Sequence, residues 1–108
     1  MKLNISVKNI ELDNPLRAFV EQKMSDIERL LAKENTLVKF EIGKLSKHHR
    51  TGLVFFAEAN VSFGGKLLRA EAKHVDLRAA IVEVKDDLRV QIGKLKERAK
   101  AKRTGRRL

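Results

Sequence analysis

Cysteine, tryptophan and tyrosine are absent from the 108 residues, and proline occurs once, at Pro15. Without cysteine the chain makes no disulfide and offers no thiolate as metal ligand or nucleophile, which fits a reducing cytoplasm. Without tryptophan and tyrosine, any stacking of bases on aromatic rings falls to five phenylalanines. Most of those sit in apolar patterns that predict burial. No apolar run approaches the roughly 20 residues of a membrane span, and the opening residues alternate instead of forming a signal-peptide core. A cytoplasmic protein with no membrane partner is the expectation.

What the chain does have is positive charge. Lys and Arg number 24 against 14 Asp and Glu, a net charge of +10. The charge is uneven: Lys94 to Leu108 hold eight basic side chains and one acid, Glu97. The remainder is close to balanced, so an ordinary domain carries a strongly cationic end, and the implied partner is a polyanion. A hydrophobic content of 43% argues against global disorder, and the length leaves room for one domain with one core.

Leu3, Ile5 and Val7 alternate with polar residues and predict a strand over Lys2 to Lys8. Asp13 or Asn14 then caps a helix whose first turn accepts Pro15. Its apolar positions, from Leu16 through Phe19, Val20, Met24, Ile27, Leu30 and Leu31, follow helical steps to about Glu34-Asn35. A second strand is predicted over Thr36 to Leu45 and a third over Leu53 to Phe63. Gly64-Gly65 suits a hairpin turn into a fourth over Lys66 to Lys73. Asp76 opens a long last helix reaching about Lys102. The order β-α-β-β-β-α predicts an α+β domain with a four-stranded sheet: a parallel first pair, an antiparallel meander, and both helices on one face. Residues 1–102 form that domain, and 103–108 a basic, frayed tail.

On a helical wheel the last helix has three faces. Leu77, Ile81, Val84, Leu88, Ile92, Leu95 and Ala99 make an apolar arc of roughly 80°. Arg78, Lys85, Arg89, Lys96, Lys100, Arg103 and Arg107 form a line beside it. Asp76, Glu83, Asp86, Asp87 and Glu97 lie on the far side, while Lys94, Arg98 and Lys102 make the second half basic nearly all round. One or two such lysines would only complement the helix dipole. Eight cations in the last 15 residues point instead to phosphates, whose neutralisation releases counterions and makes binding salt-dependent.

Other signals are weaker. His48-His49-Arg50 falls in the loop between strands two and three; two adjacent histidines without a third ligand make a poor zinc site, and phosphate or base contact is the alternative to a solvated turn. His74, before the last helix, suits either a pH sensor or a backbone hydrogen bond, with the structural reading favoured. Arg17, Arg29 and Lys33 decorate the wet face of the first helix, and Lys23 lies nearer its apolar edge, where its stem snorkels. No catalytic constellation stands out, so neither an enzyme, a cofactor nor a small-molecule substrate is expected.

Met1 to Ile5, Leu16-Arg17-Ala18-Phe19-Val20 with Lys23, and above all Ala70-Glu71-Ala72-Lys73-His74-Val75-Asp76-Leu77-Arg78-Ala79-Ala80-Ile81 followed by Leu88, Gln91, Ile92 and Lys94-Leu95 carry a resemblance. His48 to Gly52, Phe55 and Ala57-Glu58 add to it. Over nearly its whole length the chain resembles the short form of the ribosome hibernation-promoting factors, or ribosome-associated translation inhibitors. The resemblance implies a fold similar to double-stranded-RNA-binding domains. It implies binding to the small ribosomal subunit and its ribosomal RNA, in the channel for mRNA and tRNAs, with inhibition of translation under stress or starvation. The implied rRNA-binding residues are Arg17, Arg78, Lys85, Arg89, Lys94, Lys96, Arg98, Lys100, Lys102 and Arg103, with possible loop contacts from His48, His49 and Arg50.

The chain departs from the family where many members carry Tyr at Arg78 and basic residues at Asp87 and Val90, which moves the cationic line toward Lys85, Arg89, Lys96 and Lys100. Arg17 and Lys94 carry over most directly. A monomer without the long form's dimerising domain is expected. Two other readings of the same charge are a general RNA-binding module or RNA chaperone, and a partner of an acidic protein.

Overall fold

The structure, a computed structural model, describes residues 1–31, 35–46, 52–63 and 65–103, without the side chains of Phe63 and residues 100–103. His48, His49, Arg50, Gly64 and the segment after Arg103 lie outside the described residues. The chain order is β1 (Lys2–Lys8), α1 (Asn14–Leu30), β2 (Thr36–Lys44), β3 (Phe55–Phe63), β4 (Lys66–His74) and α2 (Leu77–Arg103). The four strands lie side by side in sequence order. β1 pairs with β2 in parallel, as a helical crossover requires, and the two following pairs are antiparallel. This is the predicted α+β architecture.

Local chemistry explains the boundaries. Asp13 is extended, and its carboxylate accepts a hydrogen bond from the Leu16 amide at 2.9 Å, with Pro15 in the first turn of α1. Gly65 enters β4 with φ 76°, a left-handed conformation that suits glycine. The third strand begins two residues later than its pattern predicts: Leu53 is exposed, and Val54 instead exchanges turn hydrogen bonds with Gly52 and Leu45. At the other end of the sheet, Gly43 pairs with Lys8, and a Cβ at Gly43 would lie 2.0 Å from the Lys8 carbonyl oxygen. Only glycine lets the two backbones approach so closely.

One core joins the sheet to both helices. Leu16, Val20, Met24, Ile27 and Leu31 from the α1 region meet Val38, Phe40 and Ile42 of β2, Ala57, Ala59 and Val61 of β3, and Ile81, Val84, Leu88 and Ile92 of α2. Each large side chain so enclosed contributes about 1.5–3 kcal/mol relative to exposure. Small residues on β3 and β4 leave room for α2, which packs over those two strands. Ala80, outside the expected apolar arc, is also fully buried.

Burial on α2 stops at Ile92. Leu95 is half-buried, and Lys94, Lys96, Glu97, Arg98 and Ala99 are exposed. Ala99, placed on the apolar arc by periodicity, is therefore not part of the core. A helix of 27 residues is about 40 Å long, longer than the sheet it crosses, so its last turns project as an arm and the molecule extends to 55 × 25 × 19 Å.

Candidate nucleic-acid interface

A polyanion site needs cations that are exposed and not already neutralised within the protein. Several basic residues fail that test. Arg69, on the uncovered face of the sheet, is bonded to Glu58 and also lies 3.6 Å from Glu71. Those acids stand in register with Glu41, so three carboxylates cross β2, β3 and β4 in one row. Lys2, Lys8, Lys39 and Lys73 flank the row, and the uncovered face has mixed sign. Arg29 is likewise committed to Asp26 on its own helix.

The helical side is different. Arg17 is exposed in the first turn of α1, and no ion pair involves it among the described residues. Two residues on, Phe19 packs against the core with part of its ring accessible. The ammonium of Lys23, one turn along α1, lies 5.2 Å from the Phe19 ring centroid. The guanidinium of Arg78, in the first turn of α2, lies 5.2 Å from the same centroid. The ring's negative face attracts both cations, worth roughly 0.5–1 kcal/mol each where exposed. One aromatic ring thus gathers cations from both helices and fixes which flank of α2 looks toward α1.

Helical periodicity carries that flank along α2, at about 100° per residue. Lys85, Arg89 and Lys96 follow Arg78 within a sector of about 40°. They are not equivalent. The Lys85 side chain is 13% exposed, with its ammonium 3.4 Å from Asp86, so its stem belongs to the protein interior and only its head reaches water. Arg89 and Lys96 are exposed. The opposite flank faces β4: Gln91 donates a hydrogen bond to the Arg69 carbonyl at 2.9 Å. Lys94 and Arg98 share that side and are exposed. The predicted cations on α2 therefore divide between two flanks. Lys100, Lys102 and Arg103 continue the helix, whose backbone alone is described there. His48, His49 and Arg50 are outside the described residues.

His74 closes the start of α2: its Nδ1 accepts a hydrogen bond from the Asp76 amide at 3.0 Å, and the Asp76 carbonyl takes the Ala80 amide at 3.1 Å. That is a structural task and leaves the ring out of the cationic line. The sequence reading omitted Phe19 and Lys23 from the site. Their i, i+4 spacing on one helix was a usable signal for the first contact. The approach of Arg78 to the same ring depends on tertiary packing and leaves no local trace.

Known proteins share this fold. Residues 3–100 match the family described as Sigma 54 modulation protein / S30EA ribosomal protein. The ribosome hibernation promotion factor of Deinococcus radiodurans is 31% identical over 95 residues, which are 87% of this chain and 48% of that protein. The chain thus spans about half the length of that relative. The ribosome hibernation promoting factor of Pseudomonas putida is 32% identical over 99 residues, 91% of this chain and 89% of that protein. Among solved structures, the N-terminal domain of Thermus thermophilus Protein Y superposes with a TM-score of 0.70 at 29% identity, covering 87% of this chain and 94% of that one. With 98 consecutive residues matched and the same fold, the chain belongs to the Sigma 54 modulation protein / S30EA ribosomal protein family.

Proposed function

We propose that the protein is a ribosome hibernation factor that occupies the mRNA and tRNA channel of the small subunit and inhibits translation by exclusion. The observation that carries this reading is the distribution of cations that make no ion pair among the described residues. Arg17, Lys23, Arg78, Arg89 and Lys96 line the α1 side of the helical face, where Asp86 meets Lys85, while Glu58 and Glu71 of the sheet are engaged by Arg69 on the opposite face. Such a line suits the phosphates of ribosomal RNA, and each contact releases a counterion. Steric competition with mRNA and tRNA asks for no bond-making, and the site supplies a charged surface in place of a catalytic constellation. The names of the relatives, hibernation factors in Deinococcus radiodurans and Pseudomonas putida, support the same reading.

Reversing charge at Lys96 and Lys100 together (Lys→Glu) tests it. Binding to purified small subunits is expected to weaken by at least tenfold while the urea unfolding midpoint stays in place. Unchanged cosedimentation would remove the helix from the interface. Equal affinity of the unmodified protein for an arbitrary RNA duplex and for small subunits would favour a general RNA-binding module instead.

A further inference from the structure

The face of the sheet turned away from the helices is ordered in rows that cross the strands in register. One row holds Asn4, Lys39, Asn60 and Arg69, and the next row along the strands holds Ser6, Glu41, Glu58 and Glu71. A basic row thus lies beside an acidic one. The two rows outside them carry apolar groups of unequal size. Beyond the basic row, a hollow opens over the small Ser62, lined also by Leu37, Lys39, Asn60 and Leu67. Leu67 is 67% exposed there. Beyond the acidic row, Phe56 stands half-buried next to Gly43, which has no side chain.

A face with this pattern is complementary to itself. We propose that it joins two copies of the chain sheet to sheet, about a two-fold axis that crosses the strands between the basic and acidic rows. Each row then lies over its opposite: Lys39 meets Glu41 of the second copy, and Arg69 meets Glu71. The Phe56 ring enters the hollow over Ser62, between Leu37 and Leu67, and Leu37 covers Gly43. Such an isologous contact forms every pairing twice. An axis along the strands would instead set carboxylates on carboxylates, and like charges repel. Lys2 and Lys8 meet only at the solvated β1 edge, where the cost is small. A basic peptide laid along the acidic row would run between Lys39 and Arg69 on one side and Lys8 and Lys73 on the other, so a second copy is the better charge match. Each chain carries a net charge of +10, and this face is where its carboxylates can receive the cations of another copy. Four strands about 4.8 Å apart and about 24 Å long bury roughly 900–1,200 Å² over both copies. That is the low end for a specific interface, so the pairing is weak and concentration-dependent. Both helical faces remain on the outside. A monomer is the expectation from sequence, because alternation shows a polar face and only strand register reveals that its rows are opposed.

Sedimentation velocity on purified, nuclease-treated protein tests this, over concentrations from about 1 μM to about 1 mM, the range of weak association. The weight-average mass should rise from 12.3 kDa toward twice that value. Lys39→Glu and Glu41→Lys each set like charges across the axis, and each should raise the dissociation constant at least tenfold. Combining the two restores opposite charges with their roles exchanged, so the double variant should pair within about threefold of wild type. Leu67→Ser, at an exposed position, should weaken pairing and keep the wild-type urea midpoint. Urea midpoints of every variant separate lost pairing from lost folding. A mass fixed at 12.3 kDa across the series would overturn the proposal. Capture of polylysine by that monomer, abolished in Glu41→Lys, would then assign the face to a basic protein segment. Pairing unchanged in all three single variants would move the contact to another surface. A double variant that folds and stays monomeric would contradict the two-fold axis.

Discussion

Arg78 and Phe19, 59 positions apart in sequence, meet with the guanidinium carbon 5.2 Å from the ring centroid. The contact ties the first turn of α2 to the first turns of α1. With Lys23 on the same ring, it brings the positive charge of two helices onto one flank. The Phe19→Leu variant keeps most of the apolar volume and removes the ring. It should lose about 1–2 kcal/mol in urea unfolding, from weaker packing and two lost cation–π contacts. It should also bind small subunits less tightly than its loss of stability accounts for. Wild-type binding would show that the gathered cations are not part of the interface.

Lys85 and Arg89 are one turn apart on the same flank, and the wheel treats them alike. Packing separates them, since Lys85 is mostly covered and faces Asp86 while Arg89 is in solvent. Arg89→Gln is therefore expected to reduce small-subunit affinity several-fold more than Lys85→Gln. Titration of each variant at a single moderate salt concentration decides the order, and the reverse order would contradict the exposure argument.

The end of burial at Ile92 gives a contrast in stability. Leu88→Ala removes a fully enclosed side chain and should cost about 2–5 kcal/mol. Ala99→Gln, on the same arc but in solvent, should change stability by less than about 0.5 kcal/mol. Urea midpoints of the two variants check this. A large loss at Ala99 would mean the arm packs against the domain.

These cases show where the sequence is informative. Alternation in β1 and the Asp13-Asn14-Pro15 cap are local rules, and they place elements to within a residue or two. The apolar arc of α2 is also local, and it names Ile81, Val84, Leu88 and Ile92 as core. It misplaces Ala99 because periodicity does not reveal where the sheet ends, and it omits Ala80 because small residues are admitted by close helix–sheet approach. The division of the cations between two flanks depends on which side of α2 meets α1, and Phe19 and Gln91 settle that only through tertiary contacts.

Gly43 offers a sharp test of the sheet. A methyl group there would press on the Lys8 backbone, which has no flexible end to give way. The Gly43→Ala variant should lose upward of about 2 kcal/mol, or fray β1 from the sheet. Urea unfolding, with amide exchange on β1, reads both effects. An unaffected midpoint with protected β1 amides would show that the strand pair tolerates the added carbon.

The central claim is that exposed cations on the helical face bind ribosomal RNA of the small subunit where mRNA would pass. Its most direct test is cosedimentation of the purified protein with separated small and large subunits at low and moderate salt, with and without a long mRNA. The account predicts near-stoichiometric binding to the small subunit alone, persisting at moderate salt and displaced by mRNA. Equal binding to both subunits, lost together as salt rises and indifferent to mRNA, would contradict it.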